Sequence, residues 1–98
     1  MMTREDQLKE LLKPGETLYR APCGLGPFIQ AGDWLATTPE VAKKGDVVLL
    51  ISGDRPWGLA TVLEDRSHLL LLHNDRNQVV EHPKGRSMLT VTMSAHRF

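Results

Sequence analysis

The sequence holds a single cysteine, Cys23, in 98 residues. An internal disulfide is therefore excluded, and a lone thiol is consistent with a reducing compartment. Aromatic residues make up only 5% of the chain. No long apolar run is present: Val47–Ile51 and Leu69–Leu72 are the longest, far too short to span a bilayer. The opening residues, MMTREDQLKELLK, contain no apolar block of signal-peptide length. Nor is there an excess of either charge, since 12 Lys and Arg face 12 Asp and Glu. A chain that grips duplex nucleic acid usually shows a basic stripe. Only the last stretch, with Lys84, Arg86 and Arg97 and no acid, leans basic. We read it as a mildly basic face, not a nucleic-acid site. The expectation is a soluble cytoplasmic protein without membrane, nucleic-acid or cofactor partners.

The length suits one domain with a small core, and a hydrophobic content of 41% is ordinary for a globular chain. Residues 1–16 form a helix and its cap, and residues 17–98 a β domain. Thr3 can cap a helix over 3–13, with Asp6 completing a capping box. Leu8, Leu11 and Leu12 share one face, and Pro14-Gly15 stops it. Too short to stand alone, this helix is either a lid on the β core or a partner-binding element. Short strands are expected over 17–20, 33–37, 46–51, 57–64, 68–73, 78–82 and 88–96. The run after Asp46 reads as a central strand buried on both faces. Ala21–Pro27 is irregular, with a single helical turn expected over 27–30, and residues 37–40 read as a turn or a short cap, in which Thr38 can cap and Pro39 suits a first helical position. The fold class is mainly β: a small curled antiparallel sheet or barrel with one short N-terminal helix.

Two Gly-Asp corners, Gly32-Asp33 and Gly45-Asp46, each precede an apolar run. With Pro27 and Ile29 before the first and Val47-Val48 after the second, they resemble the peptidase domain of LexA-type self-cleaving repressors, whose fold signal peptidases share. In that family the motif runs Ser-Met-x-Pro-x-Ile-x-x-Gly-Asp, and a second Gly-Asp leads into a β-branched strand. Gly58 is similar to the glycine that opens the next strand. Leu72 and Asn74 fall near a Leu-x-x-x-Asn segment, with shorter spacing, and the strand before Arg97 resembles the family's last. The resemblance spans roughly residues 18–98 and implies the LexA-like peptidase fold.

The departures concern the chemistry. The family's serine nucleophile and the following methionine fall on Gly24 and Leu25. The lysine that takes the serine proton has no counterpart, because residues 57–83 contain none. The resemblance therefore implies a catalytically inactive scaffold. A helix-turn-helix and a cleavable Ala-Gly linker are also missing. Such relatives dimerise through the C-terminal part of the domain. The partner expected is a second copy or a repressor of the same fold, for which a phage or mobile-element type is the expectation, with the vacant groove free to take an extended peptide. Interface candidates are Trp57, which core packing would equally explain, and Leu89, Val91 and Met93, which alternation puts on one face of the last strand.

Two other readings stay open. Cys23, beside the vacant position, would be a nucleophile if His68 or His73 served as its base; otherwise it is a small apolar filler. The chain could also be an unrelated small β-barrel binding module. His68, His73, His82 and His96 lack metal-ligand spacing, so no metal is expected. Asp33 and Asp46 look like paired carboxylates, but Asp after Gly at a corner usually binds local backbone N–H groups. Gly24-x-Gly26 lacks the Lys-Ser/Thr ending of a phosphate loop.

Overall fold

A computed structural model describes residues 3–84 and 87–95. Gly85, Arg86 and His96, Arg97 and Phe98 lie outside the described residues, and with them part of the basic stretch and the expected end of the last strand. The element order is α1 (Arg4–Glu10), β1 (Thr17–Arg20), β2 (Trp34–Thr38), β3 (Val47–Ser52), β4 (Arg55–Asp65), β5 (Leu69–Asn74), β6 (Val79–Pro83) and β7 (Met88–Ala95). All seven strands form one antiparallel sheet in the order β1-β2-β7-β3-β4-β5-β6. Among the described residues β1 and β6 do not pair, so the sheet is open and not closed into a barrel.

Helix α1 begins as its sequence dictates. The Thr3 side chain accepts from the Asp6 N–H and the Asp6 carboxylate accepts from the Thr3 N–H, a complete capping box. It ends at Glu10, short of the expected 13, with Leu11 as C-cap. Only Leu8 of its leucine face is buried, while Leu11 is 65% exposed. The helix is thus about one turn shorter than expected and packs against β1.

The strands enter the sheet through three corners of the same construction. In each, the first residue's C=O accepts from the fourth residue's N–H: Lys13 from Glu16, Gln30 from Asp33 and Lys43 from Asp46, at 3.0, 3.0 and 2.9 Å. In each, the fourth residue's carboxylate accepts from the first residue's N–H, at 2.8, 2.9 and 2.8 Å. The third residue is a glycine of positive φ: Gly15 (86°), Gly32 (88°) and Gly45 (91°). This is a type II turn, which demands φ > 0 at its third position. The two Gly-Asp corners also share a bulge. Ala21 faces both Gly32 and Asp33 (Gly32 N–H to Ala21 C=O, 2.9 Å; Ala21 N–H to Asp33 C=O, 2.7 Å). Val62 faces Gly45 and Asp46 in the same way, with both bonds at 2.9 Å.

The sheet carries a hydrophobic cluster on each face. Val48, Leu50, Ala60, Val62, Leu70 and Leu72 pack on one with Ala42. Leu35, Leu49 and Leu59 pack on the other under Ala21 and Ile29. Burying one such leucine contributes about 1.5–3 kcal/mol. The alternation of β3 between the two clusters explains its unbroken apolar run.

Two local expectations are corrected and one is narrowed. Residues 27–30 do not form a helical turn. Leu25 and Ile29 pair as a bridge, each N–H donating to the other's C=O at 2.9 and 3.3 Å; Gly26, at φ 57°, reverses the chain between them. Of the two readings at residues 37–40 the turn is the one observed: the Thr38 hydroxyl accepts from the Glu40 N–H. In β7, Val91 pairs with Thr37 but Met93 with Ala36, so Thr92 is an inserted residue. That bulge takes Met93 out of step with Leu89 and Val91.

Candidate functional site

The bridged loop Leu25–Ile29 crosses the sheet above Val47 and divides its surface into two grooves. The first, of about 450 Å³, has Leu25, Ile29, Val47 and Thr61 on one side and the β5–β6 turn, with His73, Asn74, Asp75 and Asn77, on the other. The second, of about 370 Å³, lies beyond Phe28 and is bounded by Gly45, Asp46 and the Val91–Ser94 stretch of β7. Phe28 stands between them, 78% exposed.

The β5–β6 turn is held by its own side chains. The Asn74 Oδ1 accepts from the N–H groups of Arg76 and Gln78, at 3.0 and 2.9 Å. His73 Nε2 and Asn77 Oδ1 lie 2.6 Å apart. Asn77 takes φ 61°, a conformation asparagine tolerates better than most residues. Asp75, in this turn, lies close enough to the Cys23 thiol to act on it through its charge.

That contact decides the character of Cys23. Burial pushes its thiol up first; the Asp75 carboxylate raises it further through charge and hydrogen bond. A backbone hydrogen bond at Leu59 and the Arg76 charge oppose this without reversing it. Neither His68 nor His73 is among the groups that act on the thiol. His73 is turned to Asn77, and His68 lies exposed at the far end of β5. The arrangement holds a proton on sulfur, the opposite of an activated nucleophile.

Gly24 is exposed at the start of the same loop. A Cβ there would stand 3.2 Å from the Ile29 carbonyl oxygen, tighter than ordinary contact. That oxygen already accepts from the Leu25 N–H, so the backbone has closed around a residue without a side chain. Pro27 lies at the loop tip beside Phe28, and Ile29 is buried beneath it. Asp33 and Asp46 sit in separate corners, each bonded to its own backbone. Gly58 is buried opposite Leu50 in the β3–β4 ladder.

The interface candidates are scattered. Trp57 is 60% exposed and lines a third depression with Leu50, Val80 and Arg76. Leu89 and Val91 are half-buried inside the sheet, where Val91 pairs with both Thr37 and Val47. Met93 is exposed and borders the second groove. Among the described residues, no group of three or more His, Cys, Asp or Glu could hold a metal ion. Likewise, no helix among them is long and apolar enough to cross a membrane.

Reading the sequence did not single out Phe28, Asp75, Arg76 or Asn77. Asn74-Asp75-Arg76-Asn77 between two strands is a turn signal, but nothing in it says that the turn reaches Cys23. Phe28 after Gly26-Pro27 carried the clearer hint, an aromatic at the tip of a tight reversal. No protein-family model, curated protein or solved structure matches the chain.

Proposed function

We propose that the chain is a catalytically inactive protein of the LexA-like peptidase type, working in the cytoplasm as a dimerisation or protein-interaction module that pairs with itself or with a repressor of the same fold. The observation that carries this reading is the first groove. It opens beside the loop that follows Gly24, with Val47 of β3 and Thr61 of β4 in its lining. Its chemistry is blank for peptide hydrolysis: Gly24 offers no nucleophile, the lining holds no lysine, and the neighbouring thiol is kept protonated. The groove's apolar floor is suited to side chains of an extended peptide, whose affinity would come largely from backbone hydrogen bonds.

The test is co-sizing of the purified chain with a LexA-type peptidase domain lacking its DNA-binding module. A complex, or a homodimer of the chain alone, is the expected result. A strict monomer that binds no such domain overturns the reading. Hydrolysis of a peptide at a rate that falls when Cys23→Ala is introduced would replace it with a thiol hydrolase.

A further inference from the structure

We propose that the first groove takes a basic side chain, arginine before lysine, from an extended segment of a partner protein, with apolar side chains to either side of it; this rests on the reading above that the chain is a protein-interaction module. The groove has the size of a specific site, about 450 Å³, and the make-up of one, with mostly apolar walls and a few polar groups. Leu25, Phe28, Ile29 and Val47 supply the apolar part. Two titratable side chains line it, His73 and Asp75, and neither lysine nor arginine does.

Within the β5–β6 turn the side-chain amides are already engaged. Asn74 Oδ1 accepts from the Arg76 and Gln78 N–H groups, and Asn77 Oδ1 lies 2.6 Å from His73 Nε2. The Asp75 carboxylate is exposed and joins no ion pair among the described residues. Arg76, the next residue, lines the depression beside Trp57 and not this groove. At Cys23 the Asp75 charge outweighs that of Arg76. The groove thus presents a negative field to whatever enters it.

That sign selects the occupant. An anion would give up hydration and find no cation in the lining. A purely apolar side chain would strip water from the carboxylate and leave it without a partner. A basic side chain meets both conditions, because its aliphatic stem lies along the apolar wall while its charged head reaches the carboxylate. Phe28, 78% exposed at the tip of a loop closed by two backbone hydrogen bonds, adds a ring face for a cation. Arginine fits better than lysine because its planar head both stacks on a ring and binds a carboxylate through two parallel hydrogen bonds.

Fluorescence anisotropy on the full chain tests this with short blocked peptides, apolar at alternate positions, that differ only in a central arginine, citrulline, norleucine or glutamate. The arginine peptide is expected to bind about tenfold more tightly than its neutral citrulline counterpart, as one charge-assisted hydrogen bond confers. The gap should narrow as salt rises. Asp75→Asn should abolish it, and Asp75→Lys should turn the preference to the glutamate peptide, with circular dichroism to show that each variant folds. Arginine and citrulline peptides that bind the unaltered chain equally overturn the proposal whether or not the variants fold. So does a gap that survives Asp75→Asn, or tightest binding of the norleucine or glutamate peptide. A chain that dimerises or captures a LexA-type domain but binds none of the peptides overturns the groove assignment while the interaction reading stands. A monomer that captures no such domain, yet prefers the arginine peptide through Asp75, keeps the groove assignment and removes the LexA-type partner.

Discussion

Single residues show where local physics overrides appearance. Gly45 and Gly58 are both glycines of the β3–β4 unit, yet only Gly45 has positive φ, with open space where a Cβ would go. Gly45→Ala should cost about 1–2 kcal/mol through backbone strain alone. Gly58→Ala meets only ordinary contact with Leu50 and should cost clearly less, a contrast that denaturant unfolding of the pair will read. Cys23 gives a second test. Its folded value is raised above the ordinary 9.0, so alkylation of the native protein at neutral pH should be slower than that of the unfolded chain. The stability it contributes is fully present below pH 9.0 and is lost as pH rises through the raised value. Asp75→Asn should speed alkylation, because it removes the charge that holds the proton. A rate indifferent to Asp75→Asn would show that burial acts alone.

At the level of elements, the helix and the strand positions were legible because each is signalled within a few residues. Thr3 and Asp6 announce the cap, and alternation announces the strands. The bridge Leu25–Ile29 was not legible, since Pro27-Phe28-Ile29 carries a helical and a reversing reading equally until Gly26 adopts positive φ. The docking of α1 is equally a tertiary fact. Leu8 is its one buried leucine, and Leu8→Ala should destabilise the chain by about 2–3 kcal/mol if the helix is part of the cooperative unit. Glu16 adds a tie from the following corner to β7, accepting from the Thr92 hydroxyl at 2.5 Å. That hydroxyl first, and the Lys13 N–H next, hold its carboxyl below the ordinary 4.5. The tie is fully present above pH 4.5 and is lost as pH falls through the lowered value. Glu16→Gln should therefore flatten that part of the acid-unfolding curve, monitored by circular dichroism.

Across the whole molecule, the sequence order of strands conceals the sheet order. β3 to β6 form a meander that local turns foretell, with Gly53 at φ 64° closing the β3–β4 hairpin. The last strand is inserted between β2 and β3. No residue pattern in Met88–Ala95 specifies this, because half-buried alternation suits an edge as well as an interior position. The same distance in sequence hid the meeting of Cys23 with Asp75. The consequence is mechanical: β7 alone joins the β1–β2 pair to the β3–β6 meander within the sheet. A chain truncated after Lys84 should lose its sharp thermal transition. A truncated chain that still unfolds cooperatively would mean that the 21–33 segment holds the two parts together by itself.

The three corners also make the chain its own source of stabilising substitutions. Only the first, Lys13-Pro14-Gly15-Glu16, has proline at the second position, where a type II turn favours it. Ala31 and Lys44 occupy the same place in the other two, and no backbone hydrogen bond from either N–H is seen among the described residues. Copying the first corner into the others, as Ala31→Pro and Lys44→Pro, should raise stability by about 0.4–1 kcal/mol each by restricting the unfolded chain. A protein that writes one turn three times has already shown which version of it tolerates the stiffest spelling.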